Sequence, residues 1–167
     1  GNAMHLDDDG NLLVSCRALD EITKINLNNG SIIWRWGGSQ NQFNFANDYP
    51  FTHQHCIRSL GNSNYILYDN GNFSAQYTGA GNVSRGVEYV LDTVNMSATK
   101  VNEFIHPDLL YGKATGSIQR LPNGNTFINW GNLFDQTLGP RLSEFDPSGQ
   151  LIFDLEYPAG HSIYRAH

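Results

Sequence analysis

The sequence predicts an all-β fold, a β-propeller of about three four-stranded antiparallel blades. Two observations carry that reading. One turn-and-strand unit recurs three times along the 167 residues, and the composition is that of turns and strands. Nineteen asparagines and 17 glycines accompany 9 Phe, 8 Tyr and 3 Trp, while charged residues make up only 16%. Asn and Gly favour turns and aromatics favour pleated surfaces, whereas helix-forming Lys and Glu are scarce.

The first unit opens with a short strand at 2–6 and turns at Asp9-Gly10-Asn11 into the apolar run 12–15. Residues 21–27 then alternate apolar and polar, the period-two signature of a half-buried strand. Asn28-Asn29-Gly30 turns the chain into 31–36. The second unit repeats this order: strand 55–60, a turn through Asn64, strand 65–68, an alternating strand at 86–91, a turn at 93–96 and strand 99–104. The third runs 117–121, Pro122-Asn123-Gly124-Asn125, 126–129, 142–145, Asp146-Pro147-Ser148-Gly149 and 151–157. Asn-Gly and Asp-Gly accept the positive φ that tight hairpins require. Blades are therefore expected at 1–40, 50–106 and 114–158, with a fourth beginning at 161–167. Closed propellers have roughly four to eight blades, so the chain is expected to be part of a longer protein or half of a ring completed by a second copy. A β-sandwich or jelly roll is the competing all-β arrangement. The threefold recurrence of one strand order favours blades.

A formal net charge of −6 argues against a general nucleic-acid binder, which needs a basic surface. No apolar run reaches the ~18–20 residues of a membrane span. The start, Gly1-Asn2-Ala3-Met4-His5-Leu6-Asp7, has no apolar signal region. Cys16 and Cys56 are too few for a disulfide framework and read first as free thiols, with one disulfide as the alternative. Four sequons stand at Asn29, Asn72, Asn82 and Asn95.

In a propeller the first strand of each blade lines the central channel. Asn2, His53, His55, Arg58, Ser117, Gln119, Tyr164 and Arg165 are thereby candidates to meet there. Histidine, arginine and amide donors at one channel mouth suit a sulfate or phosphate group. His53-Gln54-His55 puts two histidines at i and i+2, a spacing one metal can bridge, but neighbouring strands offer no further ligands. No metal or cofactor is expected, and His53 reads as a loop residue. Asp7-Asp8-Asp9-Gly10-Asn11 begins like a calcium loop but has Ala18 at its twelfth position, so a solvated hairpin turn is expected. Asp69-Asn70-Gly71-Asn72 closes a strand near the channel mouth, and a long polar loop at 73–84 leads to Arg85, within reach of the channel. Trp34, Trp36 and Trp130 read as packing aromatics, with aryl stacking as an alternative for Trp130.

The runs Asp9–Arg17, Ile22–Asn26, Gly30–Gly38, Gln54–Arg58, Tyr68–Gly71, Ser84–Tyr89 and Gln119–Thr126 together resemble the arylsulfotransferase propeller family. The resemblance implies a six-bladed, usually exported propeller, periplasmic or extracellular. It also implies transfer of a sulfuryl group from an aryl sulfate to a phenol without a nucleotide donor. Family catalysis passes through a sulfated histidine, with other histidines and an arginine holding the sulfate oxygens. On this basis His55 and Arg85 are the catalytic candidates, with Asn2, Arg58, Ser117, Gln119 and Arg165 as substrate-binding candidates. The family's nucleophilic histidine is expected near Ser117, where this chain has Thr115-Gly116-Ser117; His106 lies upstream. The rival is a non-catalytic surface propeller that binds without transferring.

Overall fold

The computed structural model describes residues 1–77 and 81–166; residues 78–80 of the long loop expected after Asn72, and residue 167, lie outside the described residues. The strands in chain order are β1 (Ala3–Leu6), β2 (Leu12–Cys16), β3 (Glu21–Ile25), β4 (Ile32–Gly37), β5 (Asn44–Phe45), β6 (His55–Gly61), β7 (Asn64–Asp69) and β8 (Arg85–Asp92). They continue as β9 (Ser97–Phe104), β10 (Gly112–Ala114), β11 (Ser117–Arg120), β12 (Thr126–Asn129), β13 (Asn132–Leu133), β14 (Arg141–Phe145) and β15 (Leu151–Glu156). Among the described residues there is no α-helix, only single 3₁₀ turns at Arg17–Leu19 and Ala75–Tyr77.

The protein is all-β, with three antiparallel four-stranded sheets in meander order: β1-β2-β3-β4, β6-β7-β8-β9 and β11-β12-β14-β15. The first strands of successive sheets lie side by side, β1 against β6 and β6 against β11. This arrangement is consistent with a propeller-like fold. Three short strands went unforeseen, because two or three residues carry no periodicity. β5 adds in parallel to the edge at β9, and β10 pairs with β13 in a small separate sheet. Residues 161–166 form no strand. They lie along β11 instead, with Gly116 N donating to Tyr164 O and Ser117 Oγ bonded to Ala166.

The three recurrent turns join the first two strands of each sheet but use two geometries. Asp7 N bonds Asn11 O and Leu121 N bonds Asn125 O, both at 2.8 Å, closing similar loops with a positive-φ glycine. The middle hairpin turns on Asn62 and Ser63, both at positive φ, between the paired Gly61 and Asn64. The anchoring asparagines repeat a contact: Asn64 Nδ2 donates to Glu88 and Asn125 Nδ2 to Glu144, each at 2.6 Å.

The core lies between sheets. Leu13, Ile22, Trp34 and Trp36 of the first sheet pack against Tyr65, Leu67, Val87 and Tyr89 of the second. Ile66, Tyr68 and Phe104 on the second sheet's other side pack against Ile118, Ile128, Trp130 and Phe145. β7 therefore buries both faces, which explains its unbroken apolar run. Gly86 lets the second and third sheets close up, since a Cβ there would sit 2.4 Å from Ile118 Cδ1. Trp34 is buried, as a packing aromatic should be, whereas Ile32 and Phe153 on the outer sheets are 48% and 47% exposed. Trp130 is also buried, its Nε1–H donating to Ser143 Oγ, which removes it from aryl stacking on the surface.

The Asp7 turn differs from expectation. Asp8 and Asp9 are exposed, but Asp7 is buried and accepts from Lys24 Nζ (2.6 Å), Ser59 Oγ (2.7 Å) and Tyr65 OH (2.7 Å). Burial alone would push its carboxyl up. Hydrogen bonds from Lys24, Ser59 and Tyr65 hold it well below the usual range. It is a pin between the first two sheets.

Candidate functional site

His55 opens β6, and the strand bulges immediately after it: register slips between His55 and Arg58, with Cys56 at φ 54°. A bulge re-aims the side chains beside it, and the left-handed backbone of Cys56 is strained for a residue with a Cβ. The bulge turns His55 toward Asn70, just beyond β7, with Nδ1 2.7 Å from Asn70 Oδ1. Asn70 Nδ2 donates to Gly112 O (2.6 Å) and Thr115 O (3.0 Å). With the amide nitrogen so engaged, its oxygen must face the imidazole. Nδ1 of His55 then carries the proton and Nε2 keeps its lone pair. Burial lowers the imidazole pKa, the Asn70 bond opposes that, and the nearby Arg17 charge lowers it further. His55 is a neutral base with one ring nitrogen committed.

Arg17 comes from the 3₁₀ turn after β2. Its Nη2 donates to Lys113 O at 3.0 Å, and its Nε is buried without a hydrogen-bond partner among the described residues. Asn72 Nδ2 donates to the same carbonyl at 2.9 Å. Arg17, His53, Asn72 and Lys113 edge an open cleft of about 970 Å³, whose other walls include Phe73, Leu109, Tyr111 and Phe134.

The predicted site residues divide. Asn2 lies beside His55, its Nδ2 donating to Gln54 O at 2.6 Å. His53 turns away from His55, its Nδ1 3.0 Å from Asp20. Arg58 Nε bonds Ile118 O, tying β6 to β11. Ser117 is buried beneath the tail at Ala166, Gln119 is half-buried on β11, and Tyr164 and Arg165 are exposed in the tail. The expectation that Arg85 shares a site with His55 needs correction, because its guanidinium faces carboxylates instead. Nε bonds Asp69 (2.9 Å), and Nη1 bonds Asp48 (3.0 Å) and Glu103 (2.6 Å). Tyr49 lies beneath it, 4.0 Å from the ring centroid. Burial opposes the Arg85 charge, yet Asp69 and Asp48 hold it above its ordinary range.

His106 is a junction residue. It is buried, its Nδ1 accepts from Asp108 N at 3.0 Å, and its Nε2 faces Asp154 at 3.3 Å. Both cysteines are free. The Asn72 sequon is buried with its amide already bonded, so it cannot serve as a glycan acceptor without unfolding. Of the residues that surround His55, Asn70 carried a signal in the strand-ending Asp69-Asn70-Gly71-Asn72. Arg17 closes the Asp9–Arg17 run, but nothing in that run marked what its side chain would face.

Stacked meander sheets with polar groups gathered where their inner strands meet define an all-β, propeller-like class. Two solved structures share the fold. One is a protein of unknown function from Bacteroides caccae (TM-score 0.61, 18% identity, covering 92% of this chain and 48% of that one). The other is Kuenenia stuttgartiensis hydrazine synthase (TM-score 0.53, 12% identity, covering 93% and 36%). This chain thus spans about half or less of the solved chains it matches. No curated protein matches it. The arylsulfotransferase (ASST) family profile matches residues 2–158, and the chain belongs to that family.

Proposed function

We propose that this chain is half of a six-bladed, exported propeller that moves a sulfuryl group from an aryl sulfate to a phenol at His55. Its three blades are 1–40, 50–106 and 114–158. The observation that carries the reading is the neutral, Asn70-anchored imidazole beside Arg17. The Nε2 lone pair attacks sulfur. The N–S bond forms as the S–O(aryl) bond breaks, and the phenolate leaves with that electron pair. An acceptor phenol then attacks sulfur, the N–S bond breaks, and Nε2 recovers its lone pair. The acceptor's proton passes to the departed phenolate or to water. Arg17 faces the sulfate oxygens and offers the planar donors that stabilise them. This role replaces the one expected of Arg85.

The test is transfer from an aryl sulfate to a phenol by the complete protein. Transfer that requires His55 supports the proposal. Aryl sulfate binding without transfer favours the non-catalytic reading, for which Thr115-Gly116-Ser117 in place of a histidine speaks. The active form has neutral His55, whose pKa is lowered from its ordinary value chiefly by burial. As pH falls, the decline of kcat/KM is therefore expected at a lower pH than an ordinary imidazole would give; an acid limb at or above the ordinary imidazole position would contradict the burial of His55.

The outer sheets bear on the half-ring reading. Ile32 and Ile33 on β4, and Ile152, Phe153 and Leu155 on β15, are exposed apolar side chains on opposite ends of the stack. Faces of this kind are normally covered. Light scattering of the isolated 167-residue chain is expected to show association. A monomer with one cooperative melt would refute the half-ring.

A further inference from the structure

The cleft beside Arg17 has more room and more aromatic surface than a sulfate needs. Phe73 and Phe134 are 86% and 64% exposed, an unusual display of phenylalanine at one site. Tyr111 and Phe134 are neighbours with centroids 5.6 Å apart and planes tilted by 34°, and Lys113 Nζ lies 5.8 Å from the Phe134 centroid. Arg17 binds the Lys113 backbone at one edge of the cleft, while the Lys113 ammonium lies over the Phe134 wall. The acids on its rim are engaged elsewhere: Asp108 is 3.6 Å from Arg141, and Asp135 accepts from Thr137. A volume of about 970 Å³ suits a drug-sized ligand and far exceeds one benzene ring.

Building on the sulfuryl-transfer reading, we infer that this cleft is the aryl subsite, and that Phe73, Tyr111 and Phe134 select aryl anions of two fused rings over one. The rings lie between the aromatic walls, with the anionic group toward Arg17 and within the field of the Lys113 ammonium. Stacked or edge-on rings gain beyond simple area burial, and a second ring lets one ligand touch both walls.

Calorimetric binding of 2-naphthyl sulfate and phenyl sulfate to the complete protein tests this. The naphthyl compound is expected to bind about tenfold more tightly or better, the scale of 1.4 kcal/mol. In Tyr111→Ala/Phe134→Ala the ratio is expected to collapse toward one, with circular dichroism showing the fold intact. Because Tyr111→Ala could unseat β10, Phe73→Ala alone is the second variant, expected to lower the same ratio in part. Lys113→Met is expected to weaken 2-naphthyl sulfate and leave 2-naphthol unchanged. A ratio near one in the unaltered protein, or one untouched by all three aromatic changes, overturns the subsite. That result would include the case in which the remaining blades fill the cleft. Transfer lost with the ratio retained would reject sulfuryl transfer and leave the subsite standing; transfer retained without the ratio would do the reverse.

Discussion

Replacing Arg85 with alanine is expected to cost about 3–5 kcal/mol of folding stability, the range for removing one partner of a buried ion pair. The guanidinium and both aspartates, Asp48 and Asp69, are almost completely inaccessible to water. Lys100 still reaches Asp48 and Glu103, each at 3.3 Å, so the variant leaves Asp69 as the stranded group. Burial without Arg85 would then force Asp69 to take a proton or draw water in. Arg85→Lys should recover only part of the loss, because a point charge cannot serve carboxylates on two sides as a planar fork does. Urea unfolding measures both variants. A cost below about 1 kcal/mol, within the range of exposed pairs, would mean that the cluster is solvated and that Arg85 is free to act on a ligand.

Replacing His55 with alanine is expected to lower sulfuryl transfer by about a thousandfold or more, since the proposed covalent intermediate has no other atom to form on. Asn70→Leu separates position from chemistry. It keeps the imidazole but frees the ring and its tautomer, and is expected to lower kcat about 10²–10⁴-fold, by comparison with losing the orienting acid of a catalytic triad. Asn70 acts through His55 and is a positioning residue. Its hydrogen bond raises the His55 pKa, so its removal should also move the acid limb of the pH profile down. A merely structural role would leave that limb in place. Unaltered transfer in His55→Ala would move the chemistry to another group.

The long strands were legible because their signals are local. β3 alternates with period two, and the glycines at 10 and 124 close equivalent turns on the positive φ they alone adopt without strain. β7 reads as an unbroken apolar run, and the structure shows why, with a sheet packed on each side. β5, β10 and β13 were illegible because runs of two or three residues acquire strand geometry only from the edge they meet. His55 and Asn70 could be nominated from their places at the start and end of strands.

What each charged side chain faces was decided by the folded chain. Arg17 and Arg85 are alike in sequence, each beside a strand end. Arg85 is buried because Asp48, Asp69 and Glu103 arrive from 16 to 37 residues away. Among the described residues Arg17 Nε has no hydrogen-bond partner, and its Nη2 meets a backbone oxygen rather than a carboxylate. Asp7 and Asp9 sit two residues apart in one turn, yet Tyr65 and Ser59 of the next sheet turn the first into a buried pin. By itself the sequence determined the order of strands and turns, since backbone preference and hydrophobic period act over a few residues. Only the tertiary structure decided which cation is neutralised and which stands beside His55, because charges pair through space with partners that no local pattern names.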